Sequence, residues 1–206
     1  MVGDLPYGSY EGSDELAVAT ARRFVDEGGC DAVKLEGGTG PIASRVRAIV
    51  AAGIPVVGHV GLLPQSVTTP DGYRAQGRDV EHALAIVAEA IALEEAGCAA
   101  LVVEAVPSAI GAMITQRLSI PVIGIGAGDA TSGQVLVYHD LLGYGEGRLA
   151  RFVRQYASTH DTMVAAVRQW SQDVREGSYP SRDESYGMAP DALEQVRRAL
   201  AGSPPD

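Results

Sequence analysis

Basic side chains are scarce in this chain. Its 206 residues carry 16 Lys and Arg against 26 Asp and Glu, for a formal net charge of -10 and an isoelectric point near 4.8. The basic residues are dispersed or C-terminal, which leaves no cluster for a phosphate backbone and excludes a nucleic-acid-binding face. An anionic small molecule is not excluded, because one buried lysine can bind it. No apolar run approaches the roughly 20 residues of a membrane span, and the amino terminus has neither the basic nor the apolar region of a signal peptide. The protein is therefore expected in the cytoplasm, with no membrane association. Cysteine is equally sparse: Cys30 and Cys98 are the two in the chain, each at the start of an apolar run. They read as small buried hydrophobes rather than as a disulfide or metal pair, and the lack of a Cys/His cluster argues against zinc.

What the chain does have is two short phrases, each present twice and in alternation. Cys30-Asp31-Ala32-Val33-Lys34-Leu35-Glu36 is echoed by Cys98-Ala99-Ala100-Leu101-Val102-Val103-Glu104, and Ile54-Pro55-Val56-Val57-Gly58-His59 by Ile120-Pro121-Val122-Ile123-Gly124-Ile125. Each runs through β-branched and apolar residues, and three of the four end on a polar residue. That is the pattern of a buried parallel strand delivering a functional group at its carboxyl end. Six strands are predicted: Val2 to Leu5, Asp31 to Glu36, Ile54 to His59, Ala99 to Glu104, Ile120 to Gly126 and Gln134 to His139. Helical patterns lie between them, from Ser13 to Val25, Ile42 to Ala52 and Val80 to Ala96. Further helices are predicted over Leu149 to Tyr156, Met163 to Arg175 and Asp191 to Ala201, with a frayed tail over 202–206. Strand and helix in alternation imply an α/β fold with helices outside a parallel sheet. A barrel of this kind closes with eight strands over about 250 residues, so the six here predict one partial α/β-barrel domain over 1–206.

At the strand ends the sequence gathers Asp4, Lys34, Glu36, His59, Glu104 and His139. Carboxylates, a lysine and an imidazole at one mouth suit a hard cation such as Mg²⁺, with the lysine left to hold a substrate carboxylate or to stabilise an enolate. Lys34 between Val33 and Leu35 needs an inward-facing partner, and period two puts Glu36 on the same inner face. Asp4 before Leu5-Pro6 reads equally as a turn residue. His59 reads either as a rim residue or as a hydrogen-bonded core histidine, and His139 as structural. Gly124-Ile125-Gly126-Ala127-Gly128 lacks the residues that make a nucleotide-phosphate loop and reads instead as a glycine-rich rim.

Taken together, Asp4-Leu5-Pro6-Tyr7-Gly8-Ser9-Tyr10, Val33-Lys34-Leu35-Glu36-Gly37-Gly38, the run from Gly58 to Val67 and Gly124-Ile125-Gly126-Ala127-Gly128 closely resemble the ketopantoate hydroxymethyltransferase family. The resemblance is collinear from Val2 to about Tyr186. It implies a (β/α)8 barrel of the phosphoenolpyruvate mutase and isocitrate lyase superfamily and a homo-oligomer, typically a decamer. It also implies transfer of a hydroxymethyl group from 5,10-methylenetetrahydrofolate to the α-keto acid 3-methyl-2-oxobutanoate through a Mg²⁺-stabilised enolate. Carried over by motif, Asp4 and Glu36 would hold Mg²⁺, Lys34 and His59 would bind substrate, and Glu104 would be the general base. The family has an earlier segment, with two strands and a second aspartate ligand, to which nothing here corresponds. Two other readings stay open on the sequence, a Mg²⁺-dependent lyase acting on a related α-keto acid and a non-catalytic paralogue serving as an assembly subunit.

Overall fold

The computed structural model describes residues 1–69, 73–147 and 149–201. The chain divides into two compact units, one comprising residues 1–141 and 147–155, the other residues 142–146 and everything from Tyr156 onward.

The first unit contains six strands: β1 (Val2–Asp4), β2 (Ala32–Lys34), β3 (Val56–Gly61), β4 (Ala100–Glu104), β5 (Val122–Ile125) and β6 (Gly133–Gln134). They pair in sequence order and all in parallel. Such an order requires a crossover between every pair of neighbours, and helices α1 (Asp14–Asp26), α2 (Gly40–Ala51), α3 (Val80–Glu95) and α4 (Ser108–Arg117) supply four of them. The result is the α/β-barrel wall that the sequence pattern predicts. Helix starts follow local chemistry. Ser13 accepts from the Leu16 N–H to open α1, and Asp79 accepts from the His82 N–H to open α3, each satisfying a first-turn donor that would otherwise be unpaired.

Register fixes which residues share a face, because partners in a parallel ladder point to the same side. Val33 pairs with Val56, Gly58 with Leu101 and Val103 with Gly124. This is the helix-covered face, and Val33, Leu35, Val56, Val60, Leu101, Val103 and Val122 are all fully buried there against α1 to α4. Removing that much apolar surface from water is the main stabilisation of the unit. The other face carries Asp4 and Lys34, which pair with each other, then Val57, His59, Val102 and Glu104.

Three expectations are corrected. The sixth strand is two residues long, not six, and α5 (Tyr138–Leu142) occupies the end of the predicted run. His139 therefore lies on a helix and not at a strand end. The ladder continues only through the Val135 N–H to the Gly124 carbonyl. Leu149 to Tyr156 is irregular rather than helical. Its phenylalanine is used differently: the Phe152 ring fills the space over Gly126, where a Cβ would lie 2.4 Å from it and φ is +66°. Finally, α4 has no counterpart in the sequence reading. Its cap position is Pro107, without a side-chain hydrogen bond, and a glycine sits mid-helix, so the usual start signal is lacking.

In the second unit, α6 (Thr159–Glu176) and α7 (Pro190–Ala201) match the predicted helices within a few residues. The His160 ring nitrogen meets the Glu146 carboxylate at 2.8 Å there. The predicted frayed tail lies outside the described residues. Cys30 and Cys98 are free thiols, and burial pushes the Cys98 thiol up to about 12, as suits a small core side chain.

Candidate active site

Asp4, Lys34, His59 and Glu104 project from the carboxyl ends of four consecutive strands, β1, β2, β3 and β4, and Glu36 follows β2 by two residues. Lys34 Nζ lies 2.7 Å from Asp4 Oδ1, with Asp4 half-exposed and Lys34 largely covered. Lys34 is the single lysine of the chain. Next along the sheet, His59 Nε2 lies 3.3 Å from Glu104 Oε2, and their side chains are 4% and 12% exposed. The two are close but not aligned for a hydrogen bond, and neither His59 ring nitrogen has a hydrogen-bond partner among the described residues. Glu104 sits where it does because the main chain around it is tied down. The Leu62 N–H donates to the Glu104 carbonyl, and the Ala105 N–H donates to the Ile125 carbonyl. Ala105 itself adopts a left-handed conformation, with φ +48°, which costs a non-glycine residue of order 1–3 kcal/mol.

Glu36 is 5% exposed and interacts with members of both pairs. Burial raises its pKa above the ordinary 4.5, the charges of His59 and Lys34 and the Gln65 N–H pull it back, and Asp4 pushes it up again. One carboxylate thus feels all three of its proposed neighbours. Two residues that the sequence reading quotes only as parts of motifs hold it. Tyr10, 2% exposed, has its hydroxyl between the main-chain N–H and carbonyl of Glu36, at 3.2 and 3.3 Å. Burial of that phenol pushes its pKa to about 12, so it stays a neutral donor. The Gln65 N–H donates to the Glu36 carboxylate at 3.2 Å. Tyr10 and Gln65 are separated from Glu36 by 26 and 29 positions, and no short-range pattern reveals such contacts.

Because the folded-state pKa of Glu36 exceeds its ordinary value, the folded protein binds that proton more tightly than the unfolded chain. The protonated group favours folding below pH 4.5, and that contribution is lost as pH rises through the folded-state pKa. Glu36→Gln is neutral throughout. Its melting temperature relative to the parent protein is therefore expected to increase from acid to neutral pH, as measured by calorimetry over a pH series. A constant difference would show that the buried carboxylate carries no such cost.

The donor set also bears on a metal. Among the described residues no three His, Cys, Asp or Glu side chains converge on one point. Asp4, whose Oδ1 meets Lys34 Nζ, and Glu36, whose carboxylate is held by the Gln65 N–H, offer two hard carboxylate donors. Mg²⁺ keeps several waters and takes one or two protein carboxylates plus substrate oxygens, and the pair fits a cation held in that way.

A wall of six consecutive parallel strands whose ends bring acids, a lysine and a histidine to one face defines a protein of the α/β-barrel class. The particular family follows from comparison. The ketopantoate hydroxymethyltransferase profile matches residues 1–182, and the chain belongs to that family. It is 47% identical over 196 residues to the 3-methyl-2-oxobutanoate hydroxymethyltransferase of Carboxydothermus hydrogenoformans, covering 95% of this chain and 71% of that protein. It is 50% identical over 186 residues to the enzyme of the same name from Saccharopolyspora erythraea, covering 90% of this chain and 63% of that one. Among solved structures, phosphonopyruvate hydrolase aligns over 97% of this chain and 69% of its own, at 14% identity and a TM-score of 0.49.

Proposed function

We propose that the protein transfers a hydroxymethyl group from 5,10-methylenetetrahydrofolate to 3-methyl-2-oxobutanoate, giving 2-dehydropantoate. The observation that carries this reading is the largely covered pair of Glu104 and His59, 3.3 Å apart on the sheet face that also bears Asp4 and Lys34. Mg²⁺, when bound, would be held by Asp4 and Glu36 and would supply polarisation of the keto acid's carbonyl, which acidifies the hydrogen on C3. Lys34 pairs with the substrate carboxylate by a charge-assisted hydrogen bond. Glu104 accepts the C3 proton, and C3 then forms the new carbon–carbon bond to the one-carbon unit. Water supplies the hydroxyl oxygen, and tetrahydrofolate leaves. His59 lines the same pocket and offers a ring nitrogen to substrate. The enzyme acts in the cytoplasm as a homo-oligomer, decameric by the family resemblance, and light scattering tests that state.

The direct test supplies both substrates and Mg²⁺ and measures 2-dehydropantoate by mass spectrometry. Formation of product supports the reading. Exchange of the C3 hydrogen with deuterated water without product would replace it with a lyase-type activity, and absence of both would favour a non-catalytic paralogue. Lys34→Ala removes the cation facing the substrate carboxylate. It is expected to raise KM for the keto acid roughly tenfold or more while affecting the folate KM little, since a charge-assisted hydrogen bond contributes about 1.5–3 kcal/mol.

A further inference from the structure

Gln65 makes more connections at the site than any role given to it above requires. It sits in a single 3-10 turn, Pro64–Ser66, directly beyond the end of β3. Its side-chain amide is used at both ends: Nε2 donates to the Leu5 carbonyl at 3.2 Å, and Oε1 accepts from the Tyr7 N–H at 2.6 Å. Its main-chain N–H donates to Glu36 Oε2 at 3.2 Å, and Oε1 of Glu36 lies 3.5 Å from the same nitrogen. One residue thus grips the main chain immediately after Asp4 and the carboxylate of Glu36. The turn that carries it is fixed in turn by the Ser66 N–H to the Leu63 carbonyl and the Val67 N–H to the Pro64 carbonyl.

We infer that Gln65 is a positioning residue that sets the separation of the Asp4 and Glu36 carboxylates and so tunes the affinity of that pair for a divalent cation. The inference rests on the reading of Asp4 and Glu36 as cation donors. Asp4 closes a three-residue strand, and its side chain is half-exposed, so the sheet holds it only from one side. The amide of Gln65 holds the following residues, Leu5 and Tyr7, from the other. Groups that orient ligating carboxylates typically change metal affinity or activity by 10–100-fold when removed.

The test uses Mn²⁺ as the probe, with free Mn²⁺ read by electron paramagnetic resonance during titration of the full chain in the presence of 3-methyl-2-oxobutanoate. Gln65→Met keeps the length of the side chain and removes both of its hydrogen bonds while leaving the main-chain N–H in place. It is expected to weaken Mn²⁺ binding about tenfold or more, with thermal unfolding beginning well above the assay temperature. Tyr10→Phe, which loosens Glu36 from its main-chain side without touching Leu5 or Tyr7, provides a second variant should Gln65→Met not fold, and is expected to weaken Mn²⁺ in the same direction. Asp4→Asn separates the two levels of the argument. If the parent protein binds no Mn²⁺, or binds it equally well with Asp4→Asn, the cation reading falls and the inference with it. If Asp4→Asn abolishes binding while a folded Gln65→Met and Tyr10→Phe both stay within twofold of the parent, the cation reading stands and the positioning role is overturned.

Discussion

Glu104→Gln is expected to slow exchange of the C3 hydrogen of 3-methyl-2-oxobutanoate with deuterated water by about 10²-fold or more, the usual weight of a general base. The substitution preserves size and leaves a neutral amide 3.3 Å from His59 at the position of the carboxylate oxygen. It does not disturb the main-chain bonds from Leu62 to the Glu104 carbonyl and from Ala105 to Ile125, which do not involve the side chain. Loss of exchange with an unchanged melting temperature therefore reports on proton transfer and not on folding. The measurement is proton NMR of the keto acid, which separates this step from one-carbon transfer because no folate is present. Exchange at the parent rate would assign the base elsewhere, and His59, the nearest buried group able to accept a proton, would be the next residue to test.

Gly61→Ala is expected to destabilise the protein by about 2–5 kcal/mol, combining the roughly 1–2 kcal/mol of a left-handed conformation with a side chain and the roughly 1–3 kcal/mol of overpacking. Gly61 has φ +94°, and a Cβ there would stand 2.2 Å from the Glu104 carbonyl oxygen and 2.9 Å from Val106 Cγ1. Neither the neighbouring strand nor that carbonyl can withdraw without breaking the Leu62 bond to Glu104. Urea unfolding gives the stability difference, and a value below 0.5 kcal/mol, the usual limit for a neutral surface change, would show that β3 and β4 separate easily at their ends. Turnover should fall further than stability accounts for, because the displaced main chain is that of Glu104.

The strands were legible because a fully covered sheet leaves an uninterrupted apolar run with Gly or Pro before it, and because Lys34 in such a run demands a partner on its own face. Their ends were less so. Residue patterns placed Glu36 at the end of β2, whereas the ladder ends at Lys34. Hydrogen bonds from the Leu35 and Gly37 N–H groups to Val57 and His59 carry the chain on in near-strand form, so the direction of Glu36 is kept. The run after Gln134 misled for a physical reason: Val135-Leu136-Val137 is apolar enough for a strand, but Tyr138 to Leu142 turn into a helix. Tyr10 and Gln65 could not be assigned from the chain alone, since their work is done across contacts between separate loops. The resemblance supplied the motif positions of the site residues, and the register of β1 to β4 supplies an independent reason for Asp4, Lys34, His59 and Glu104 to share a face.

The pairing of Lys34 with Asp4 has a practical side. The other basic side chains of the sequence are all arginine or histidine, so the ε-amine of Lys34 is its single side-chain primary amine. It lies mostly covered, with its Nζ against a carboxylate. Reductive methylation with isotope-labelled formaldehyde would consequently place a side-chain spectroscopic reporter among the strand-end carboxylates, without any engineering of the sequence.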